Sequence, residues 1–127
     1  MKRIIHTDEA PEAVGAYSQA TTNGSLVFTA GQIPLTPEGE LLDDEPIDVQ
    51  AEQCLDNLTA VLAEAGAEMS DVLKVSVFLN DIDDFTAMND TYATYFDDEP
   101  PARSAVEVAN LPKGVDVEIE AIASVEE

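Results

Sequence analysis

Hydrophobic and polar positions recur along this chain with two different periods, and the change of period predicts the order of its elements. Between about 48 and 65, apolar residues lie three and four positions apart, which is typical of an amphipathic helix, and Gly66 ends it. A second stripe of this kind follows Asp83 and Asp84 and ends before Pro100, whose missing amide hydrogen cannot continue a helix. Alternating or continuous apolar runs predict strands at about 17–22, 25–35, 73–79, 104–109 and 115–124.

The predicted order is therefore ββ-α-β-α-ββ, an α+β sandwich with both helices on one face of a sheet. The last strand has one apolar row, and the strand at 73–79 is apolar on both sides. Two helices cover only one sheet face, so we expect the other face to be buried in a symmetric oligomer. The row that we assign to this second face is Val115, Val117, Ile119, Ala121 and Ala123.

Length and composition are typical of one folded domain. The 127 residues, 45% of them hydrophobic, predict a single domain spanning 1–127 with a core of its own. No run approaches the roughly 20 apolar residues that cross a bilayer, and the N-terminus lacks a signal-peptide core, so we expect a cytoplasmic protein. The single Cys54 lies in the apolar stripe of the first helix and is expected to be a buried, inert thiol.

The charge is extreme, with 5 Lys and Arg against 27 Asp and Glu and a formal net charge of −22. Such self-repulsion weakens a compact state in dilute buffer, whereas at molar salt the Debye length falls to about 3 Å. The composition therefore predicts a protein from a halophile. Nucleic acid and anionic membranes are not expected partners, because binding them requires clustered Lys and Arg.

Arg103 is the most informative cation. It follows Pro100 and Pro101 at the start of a predicted strand, and Lys74 and Lys113 are the only other cations away from the N-terminus. A guanidinium offers a rigid fork of donors that matches a carboxylate, so Arg103 is a candidate clamp for a small anion. A structural ion pair with one of the many carboxylates is an equally good interpretation.

Carboxylates of the last strand are the second candidate group. Asp116, Glu118 and Glu120 lie on the face opposite its apolar row. If strands 104–109 and 115–124 pair across their turn, one of these carboxylates lies near Arg103, where it could activate water or move a proton. The alternative is an acidic face that is simply solvated.

Other kinds of site are poorly supported. His6 is the only histidine, so neither a histidine metal site nor a Ser-His-Asp triad is expected. The segment Asn80–Asp84 lacks the glycine at position six that a calcium loop needs, because Phe85 stands there. The glycines form no phosphate-binding run. We expect neither a metal nor a cofactor.

Several motifs, read together and in order, resemble the RidA/YjgF (Rid) family over essentially the whole chain. They are Val14-Gly15-Ala16-Tyr17-Ser18-Gln19, Phe28-Thr29-Ala30-Gly31-Gln32-Ile33-Pro34-Leu35, Asn57-Leu58, Phe85 with Asn89 and Tyr92, Pro101-Ala102-Arg103-Ser104, Leu111-Pro112-Lys113-Gly114, and Val117-Glu118-Ile119-Glu120-Ala121-Ile122-Ala123.

The resemblance implies a homotrimer of the chorismate-mutase-like fold, with a mixed sheet and with sites in clefts between subunits. It also implies cofactor-free hydrolysis of the enamine/imine intermediates 2-aminoacrylate and 2-aminocrotonate to 2-keto acids and ammonia. These intermediates leave pyridoxal-phosphate-dependent serine and threonine dehydratases, which would be functional partners.

The family's site residues carry over onto matching positions of this chain. By resemblance, Arg103 clamps the substrate carboxylate, Glu118 positions the attacking water, and Tyr17 supplies a hydroxyl. Gly31 offers its backbone amide. Phe85, Asn89 and Ala105 shape the substrate pocket.

Two positions depart from the family pattern. Ala105 stands where many relatives have cysteine, which removes any thiol-dependent role, and Ala16 replaces a usual proline. A non-enzymatic trimer that binds small ligands or acts like a chaperone would use the same cleft and is the alternative function. RNA cleavage is disfavoured by the charge. Chorismate mutase would require more cations around a dianion than this chain offers.

Overall fold

A computed structural model describes residues 1–125, which form six strands and two α-helices. The elements in chain order are β1 (Arg3–Ile5), β2 (Ala20–Thr22), β3 (Leu26–Thr29), α1 (Ile47–Glu64), β4 (Val72–Leu79), α2 (Phe85–Ala93), β5 (Ala102–Glu107) and β6 (Val117–Ser124). The predicted order ββ-α-β-α-ββ is confirmed for β2 onwards. The short strand β1 was not predicted, and the strand expected at 25–35 ends at Thr29.

The six strands form one sheet in the order β1-β2-β3-β6-β4-β5. Only the β4–β5 pair is parallel among these strands, because α2 carries the chain back to the starting edge between them. The remaining pairs are antiparallel. The sheet is therefore mixed, as the family resemblance implies, and the α+β class is confirmed.

The last two strands do not pair across their turn, which is the condition for a β6 carboxylate to approach Arg103. β5 is an edge strand that pairs with β4, and β6 lies on the other side of β4. The intervening segment contains a 3₁₀ turn at Pro112–Gly114, where Lys113 adopts φ 58° and ψ 18°. This turn reverses the chain without making a hairpin, so the chain passes across the end of β4 and enters the sheet beyond it.

The register of β4 and β6 builds the core. Val75 pairs with Ala121, Val77 with Ile119, and Leu79 with Val117, so that the apolar rows of both strands point to the same side. Helix α1 packs on this side through a stripe of fully buried residues, and Met88 and Tyr92 of α2 complete the layer. The stripe of α1 comprises Ala51, Cys54, Leu55, Leu58, Val61 and Leu62.

This register overturns the expectation that the apolar row of β6 forms the uncovered face. Val115, Val117, Ile119, Ala121 and Ala123 are buried under the helices within one chain. Cys54 is buried among them, as predicted, and burial raises the pKa of its thiol well above the ordinary value, which disfavours the reactive thiolate.

The face without helices carries the alternate side chains of the same strands. In this register Phe28 lies beside Ile122, and Phe78 lies between Glu118 and Val106. Phe28 is 47% exposed and Val106 is 46% exposed. This open face, defined by Phe28, Phe78, Val106, Glu118, Glu120 and Ile122, is therefore a mixture of partly or largely exposed apolar groups and acidic groups, and Lys74 lies on the same side of the sheet.

The acidic residues stay at the surface. No Asp or Glu within residues 1–125 is fully buried, and the ion pair found in that range is His6 Nε2 with Asp8 Oδ1 at 3.1 Å. None of the helices in this part of the chain is long and apolar enough to cross a membrane.

We expect the melting temperature to rise with salt between about 0.1 M and 3 M KCl, because screening removes the repulsion among surface carboxylates while few ion pairs are present to be weakened. Each kcal/mol gained raises the Tm of a domain of this size by about 4 °C. Calorimetry in a KCl series measures the effect. A flat or falling profile would show that the acidic surface does not limit stability.

Candidate functional site

Strand β5 and helix α2 together position Arg103. Arg103 pairs with Val75, so its side chain lies on the helix-covered side of the sheet. Helix α2 lies above it and presents Phe85, Asn89 and Tyr92, which are spaced by four and three positions and share one helix face. We call these four residues the Arg103 cluster.

The guanidinium of Arg103 is held by neutral groups. Its Nη1 donates a hydrogen bond of 2.7 Å to Asn89 Oδ1. Its Cζ lies 4.7 Å from the ring centroid of Tyr92 and 5.2 Å from that of Phe85, which is cation–π distance. No carboxylate within residues 1–125 lies within 4.0 Å of it. The structural ion pair is therefore not found, and a half-buried positive charge is left without a counter-ion.

A cavity of about 370 Å³ adjoins this guanidinium. Burial raises the pKa of Tyr92, and the charge of Arg103 opposes that effect only in part. Tyr92 therefore stays neutral and serves as an aromatic wall. The cavity is lined by Asn89, Tyr92, Ala93, Phe96, Asp97, Pro100, Pro101 and Arg103.

Glu118 lies in a different place, on the open face near the start of β6. We call the cavity of about 460 Å³ beside it the Glu118 cleft. Its lining residues are Tyr17, Ala30, Gly31, Ile33, Pro112, Lys113 and Glu118. A second cavity of about 450 Å³ adjoins the cleft and shares Tyr17, Gly31, Ile33 and Lys113 with it.

Gly31 leaves the space that the Glu118 side chain occupies. A Cβ at this position would lie 2.8 Å from Glu118 Cδ and would overlap Oε2. The backbone of Gly31 is not left-handed, so contact rather than conformation requires glycine here. Its N–H donates no hydrogen bond within residues 1–125, which leaves a backbone donor beside the carboxylate.

The environment of Glu118 raises its pKa. Burial is the larger cause and the negative charge of Glu120 is the second. Because the folded state then holds the proton more tightly than the unfolded state, Glu118 stabilises the fold at low pH. That contribution is lost as the pH rises through the folded-state pKa. The ionised carboxylate is thus kept at some expense of stability.

The predicted site residues consequently fall into two groups within one chain. Phe85, Asn89 and Arg103 meet under α2, and Ala105 lies two positions along β5 on the same side, packed against the core. Tyr17, Gly31 and Glu118 meet in the Glu118 cleft.

The expectation that a β6 carboxylate approaches Arg103 within the chain is wrong. Glu118 is opposite Phe78, which is opposite Val106, so Glu118 and Arg103 are two strands and three residues apart. Ideal strand spacings place their Cα atoms roughly 14 Å apart, and the side chains lie on opposite faces of the sheet. One small substrate cannot contact both groups of the same chain.

Two lining residues received no role from the sequence. Tyr92 belongs to the apolar stripe of α2, and its period shows burial but not a neighbouring cation. Lys113 was counted only as one of few cations and as part of a turn motif. Its left-handed backbone, which would have drawn attention to it, is not visible in the sequence.

Comparison with known proteins agrees with this architecture. The sequence profile of the family described as Endoribonuclease L-PSP matches residues 7–125. The chain belongs to this family, which is the RidA/YjgF family. A RutC family protein from Pyrococcus abyssi is 49% identical over 123 residues, covering 96% of each chain. Escherichia coli K12 TdcF, provisionally named a reactive intermediate deaminase, is 46% identical over 129 residues and covers 97% of each chain.

Solved structures of Rid relatives superimpose closely. A Thermotoga maritima structure, provisionally assigned as an endoribonuclease, has a TM-score of 0.95 at 48% identity and covers 100% of both chains. The structure of E. coli TdcF with bound serine has a TM-score of 0.91 at 44% identity, covering 96% of this chain and 98% of that one. The Rid fold expected from the sequence motifs is confirmed, and relatives at this level of identity include proteins named for deamination.

We expect Gly31→Ala to lower the pKa of the Glu118 carboxyl, because the added methyl group displaces the flexible carboxylate toward solvent and reduces its burial. A ¹³C NMR titration of the side-chain carboxyl groups measures the shift. Gly39→Ala is the matched control: it adds the same methyl group where no atom lies within 4 Å, at φ +94°, so it should lower Tm and leave the Glu118 pKa unchanged. An unchanged Glu118 pKa in Gly31→Ala would contradict the assigned contact.

Proposed function

We propose that this Rid protein hydrolyses small enamine/imine acids, of the 2-aminoacrylate and 2-aminocrotonate type, to 2-keto acids and ammonia. The observation that carries the proposal is the guanidinium of Arg103, half-buried and held by an amide and two aromatic rings without a carboxylate partner among the described residues. A partly desolvated cation without a counter-ion favours an anion from outside, and its forked donors match a carboxylate.

The neutral partners of Arg103 leave its guanidinium able to bind a carboxylate. Asn89 takes one N–H of the guanidinium and orients it without cancelling its charge. The rings of Phe85 and Tyr92 restrict its rotamers, so less side-chain entropy is lost when the substrate binds. A carboxylate in the same place as Asn89 would occupy the fork and compete with the substrate.

The complete site would form between two copies, with the Arg103 cluster of one chain facing the Glu118 cleft of the next in a homotrimer. The separation of the Arg103 cluster from the Glu118 cleft within one chain supports this arrangement. The Arg103 cluster alone could hold a substrate carboxylate but not activate water, and the Glu118 cleft alone could activate water but offers no guanidinium to hold the carboxylate. The exposed apolar residues of the open face, Phe28 and Val106 among them, also favour burial against another copy.

In this arrangement Glu118 acts as the base for hydrolysis. The enamine first becomes the imine by transfer of a proton from nitrogen to carbon through solvent. Water then attacks the imine carbon, the carboxylate of Glu118 accepts a proton from it, and the C=N electron pair moves to nitrogen, which takes up that proton from Glu118. The hydroxyl proton of the tetrahedral intermediate passes through Glu118 to the nitrogen as the C–N bond breaks, so that ammonia leaves, the keto carbonyl forms and Glu118 is ionised again. The N–H of Gly31 and the hydroxyl of Tyr17, which line the same cleft, would donate hydrogen bonds to the developing polar groups.

The reaction needs only modest acceleration, because such imines also hydrolyse without a catalyst, and the proposal assigns no cofactor or metal. Pyridoxal-phosphate-dependent serine and threonine dehydratases would supply the substrate. The name of the relative TdcF supports deamination. Its structure with bound serine supports a site that accepts an amino-acid-sized carboxylate.

Two other functions would use the same surfaces. A ligand-binding or chaperone-like trimer needs the Arg103 clamp but no base. Measurable turnover of an imine would therefore distinguish a deaminase from such a binding protein. The family description also names endoribonuclease activity. With 27 acidic against 5 basic residues, this chain offers no basic track for a phosphate backbone. The direct test generates 2-aminoacrylate with a serine/threonine dehydratase and follows keto-acid release with and without this protein.

We expect Arg103→Ala and Glu118→Gln to be inactive separately and to regain activity when mixed. In a randomly mixed trimer with sites between neighbours, about a quarter of the sites receive Arg103 from one chain and Glu118 from the other. Keto-acid release after co-refolding the two variants at equal amounts measures the recovery. Sedimentation should show the same trimer for wild type, both variants and the mixture.

Arg103→Lys is the companion variant and should be partly active alone, since an ammonium keeps the charge but not the fork. Full activity of Arg103→Ala alone would refute the clamp. If the mixture stays inactive although the subunits are shown to exchange, Arg103 of one chain and Glu118 of the next do not form one shared site.

We expect Glu120→Gln to move the acid limb of the kcat/KM profile to lower pH. The negative charge of Glu120 raises the pKa of Glu118, so removing that charge lets Glu118 ionise at lower pH. The substitution leaves Lys113, the cation of the same cleft, in place. Glu64→Gln, in the last turn of α1, removes the same charge elsewhere and should leave the profile in place. A limb that moves equally in both variants would report net charge rather than the Glu118–Glu120 pair.

A further inference from the structure

Lys113 stands out from the other cations by its backbone. Within residues 1–125 it is the one non-glycine residue with positive φ, and Gly114 after it is also left-handed. Glycine or asparagine would adopt this conformation at lower free energy. A lysine that bears this backbone cost prompts the question of what its side chain does.

The position of Lys113 at the Glu118 cleft suggests that use. Lys113 and Glu118 are the charged residues that line the cleft, and Lys113 also lines the adjoining cavity, where Glu12 is the one other charged residue. Lys113 is exposed, and its side chain forms neither a salt bridge nor a hydrogen bond with residues 1–125. Among residues 1–125 its ammonium is therefore the cation that lines these two cavities, whereas Lys74, on the same face of the sheet, lines neither and donates a hydrogen bond to Ser104.

An anionic substrate has to approach this side through a strongly unfavourable field. The chain carries a formal charge of −22, and Glu118 must itself be ionised to act as the base. An ammonium on a flexible stem cannot orient a carboxylate as a guanidinium fork does. As a point charge, however, it raises the local concentration of anions in a cleft.

We propose that Lys113 is a substrate-recruiting cation of the Glu118 cleft, which attracts the anionic imine and offsets the charge of Glu118 before the carboxylate reaches Arg103. This inference rests on the proposed function and adds a residue to its site. It assigns Lys113 to substrate binding and not to the chemical step. Its contribution should therefore appear in KM, and it should weaken with salt because the group is exposed.

The test compares four variants in about 0.1 M and about 2 M KCl, where the Debye length falls from about 10 Å to less than 3 Å. Lys113→Gln and Lys113→Asn remove the charge, and asparagine tolerates the left-handed backbone. Lys113→Arg keeps the charge. Lys2→Gln removes the same charge at the exposed N-terminus, outside both cavities, and is the matched control.

At low salt we expect Lys113→Gln and Lys113→Asn to raise KM about three- to tenfold with kcat unchanged, and the effect to vanish at high salt. Lys113→Arg, which keeps the charge, should recover most of the low-salt loss in KM, and Lys2→Gln should match wild type. An equal effect in Lys2→Gln, a loss that salt does not remove, or a loss in kcat would overturn the inference.

Binding of 2-oxobutyrate, measured by calorimetry in the same buffers, separates this inference from the proposed function. One outcome is that the wild type binds the keto acid but does not turn over imines, and that Lys113→Gln binds the keto acid more weakly than wild type at low salt. This outcome would support anion recruitment by Lys113 and reject the deaminase. Normal turnover and binding in Lys113→Gln would retain the deaminase and reject the role of Lys113. A wild type that neither binds nor turns over would overturn both.

Discussion

The pairing of β4 with β6 is the constraint on which the rest of this structure depends. Because Val77 lies opposite Ile119, the apolar rows of the two central strands point to the same side and are covered by α1. Side chains alternate along a strand, so the same register sends Glu118 to the other side. A shift of the register by one residue would bury Glu118 and expose the apolar row. The same β4–β6 register therefore determines both the packing of the core and the position of the Glu118 carboxylate.

The parallel addition of β5 has an equally specific consequence. Through its pairing with Val75, Arg103 joins the helix-covered side, where α2 supplies Phe85 and Asn89. Burying part of a guanidinium costs free energy unless it is paired, and this chain has many carboxylates that could pair with it. The structure instead supplies neutral partners within residues 1–125 and leaves the charge available. For a structural ion pair this arrangement would be a poor solution, but for binding an external anion it is a suitable one.

The features that depend only on the spacing of apolar residues within one segment could be predicted from the sequence. The helices, the strands at 73–79 and 115–124, and the burial of Cys54 follow from spacing, because a core-facing stripe is visible in one segment at a time. Strand partnership is not local. A carboxylate of the last strand lies near Arg103 only if strands 104–109 and 115–124 pair across their turn, and that condition fails because β4 lies between them. The same limit assigned the Val117 row to the wrong face, since only the register shows which rows lie side by side.

The motifs supplied the candidate site residues but not their division between two places in the chain. A motif reports which residues occur in order, whereas the distance between Gly31 and Arg103 depends on which strands lie between them. The Gly31–Glu118 contact shows what the motif encodes physically, a missing Cβ that makes room for a carboxylate. Likewise, the Leu111–Gly114 motif encodes a strained turn that carries Lys113 to the cleft.

Dividing the site between chains would make assembly a condition for chemistry. Each chain alone holds both a cation under α2 that is unpaired among the described residues and a carboxylate with raised pKa on the open face, too far apart to compensate each other. Bringing the two together places opposite charges on the two walls of one cleft, which favours assembly electrostatically while every other acidic surface residue opposes it. Because contacts inside the cleft are short and partly desolvated, salt screens them less than it screens the long-range repulsion. In so acidic a chain, the conditions that would favour a trimer with shared sites are therefore the same conditions that would let the proposed anionic substrate enter, and stability and activity should be governed by one electrostatic balance.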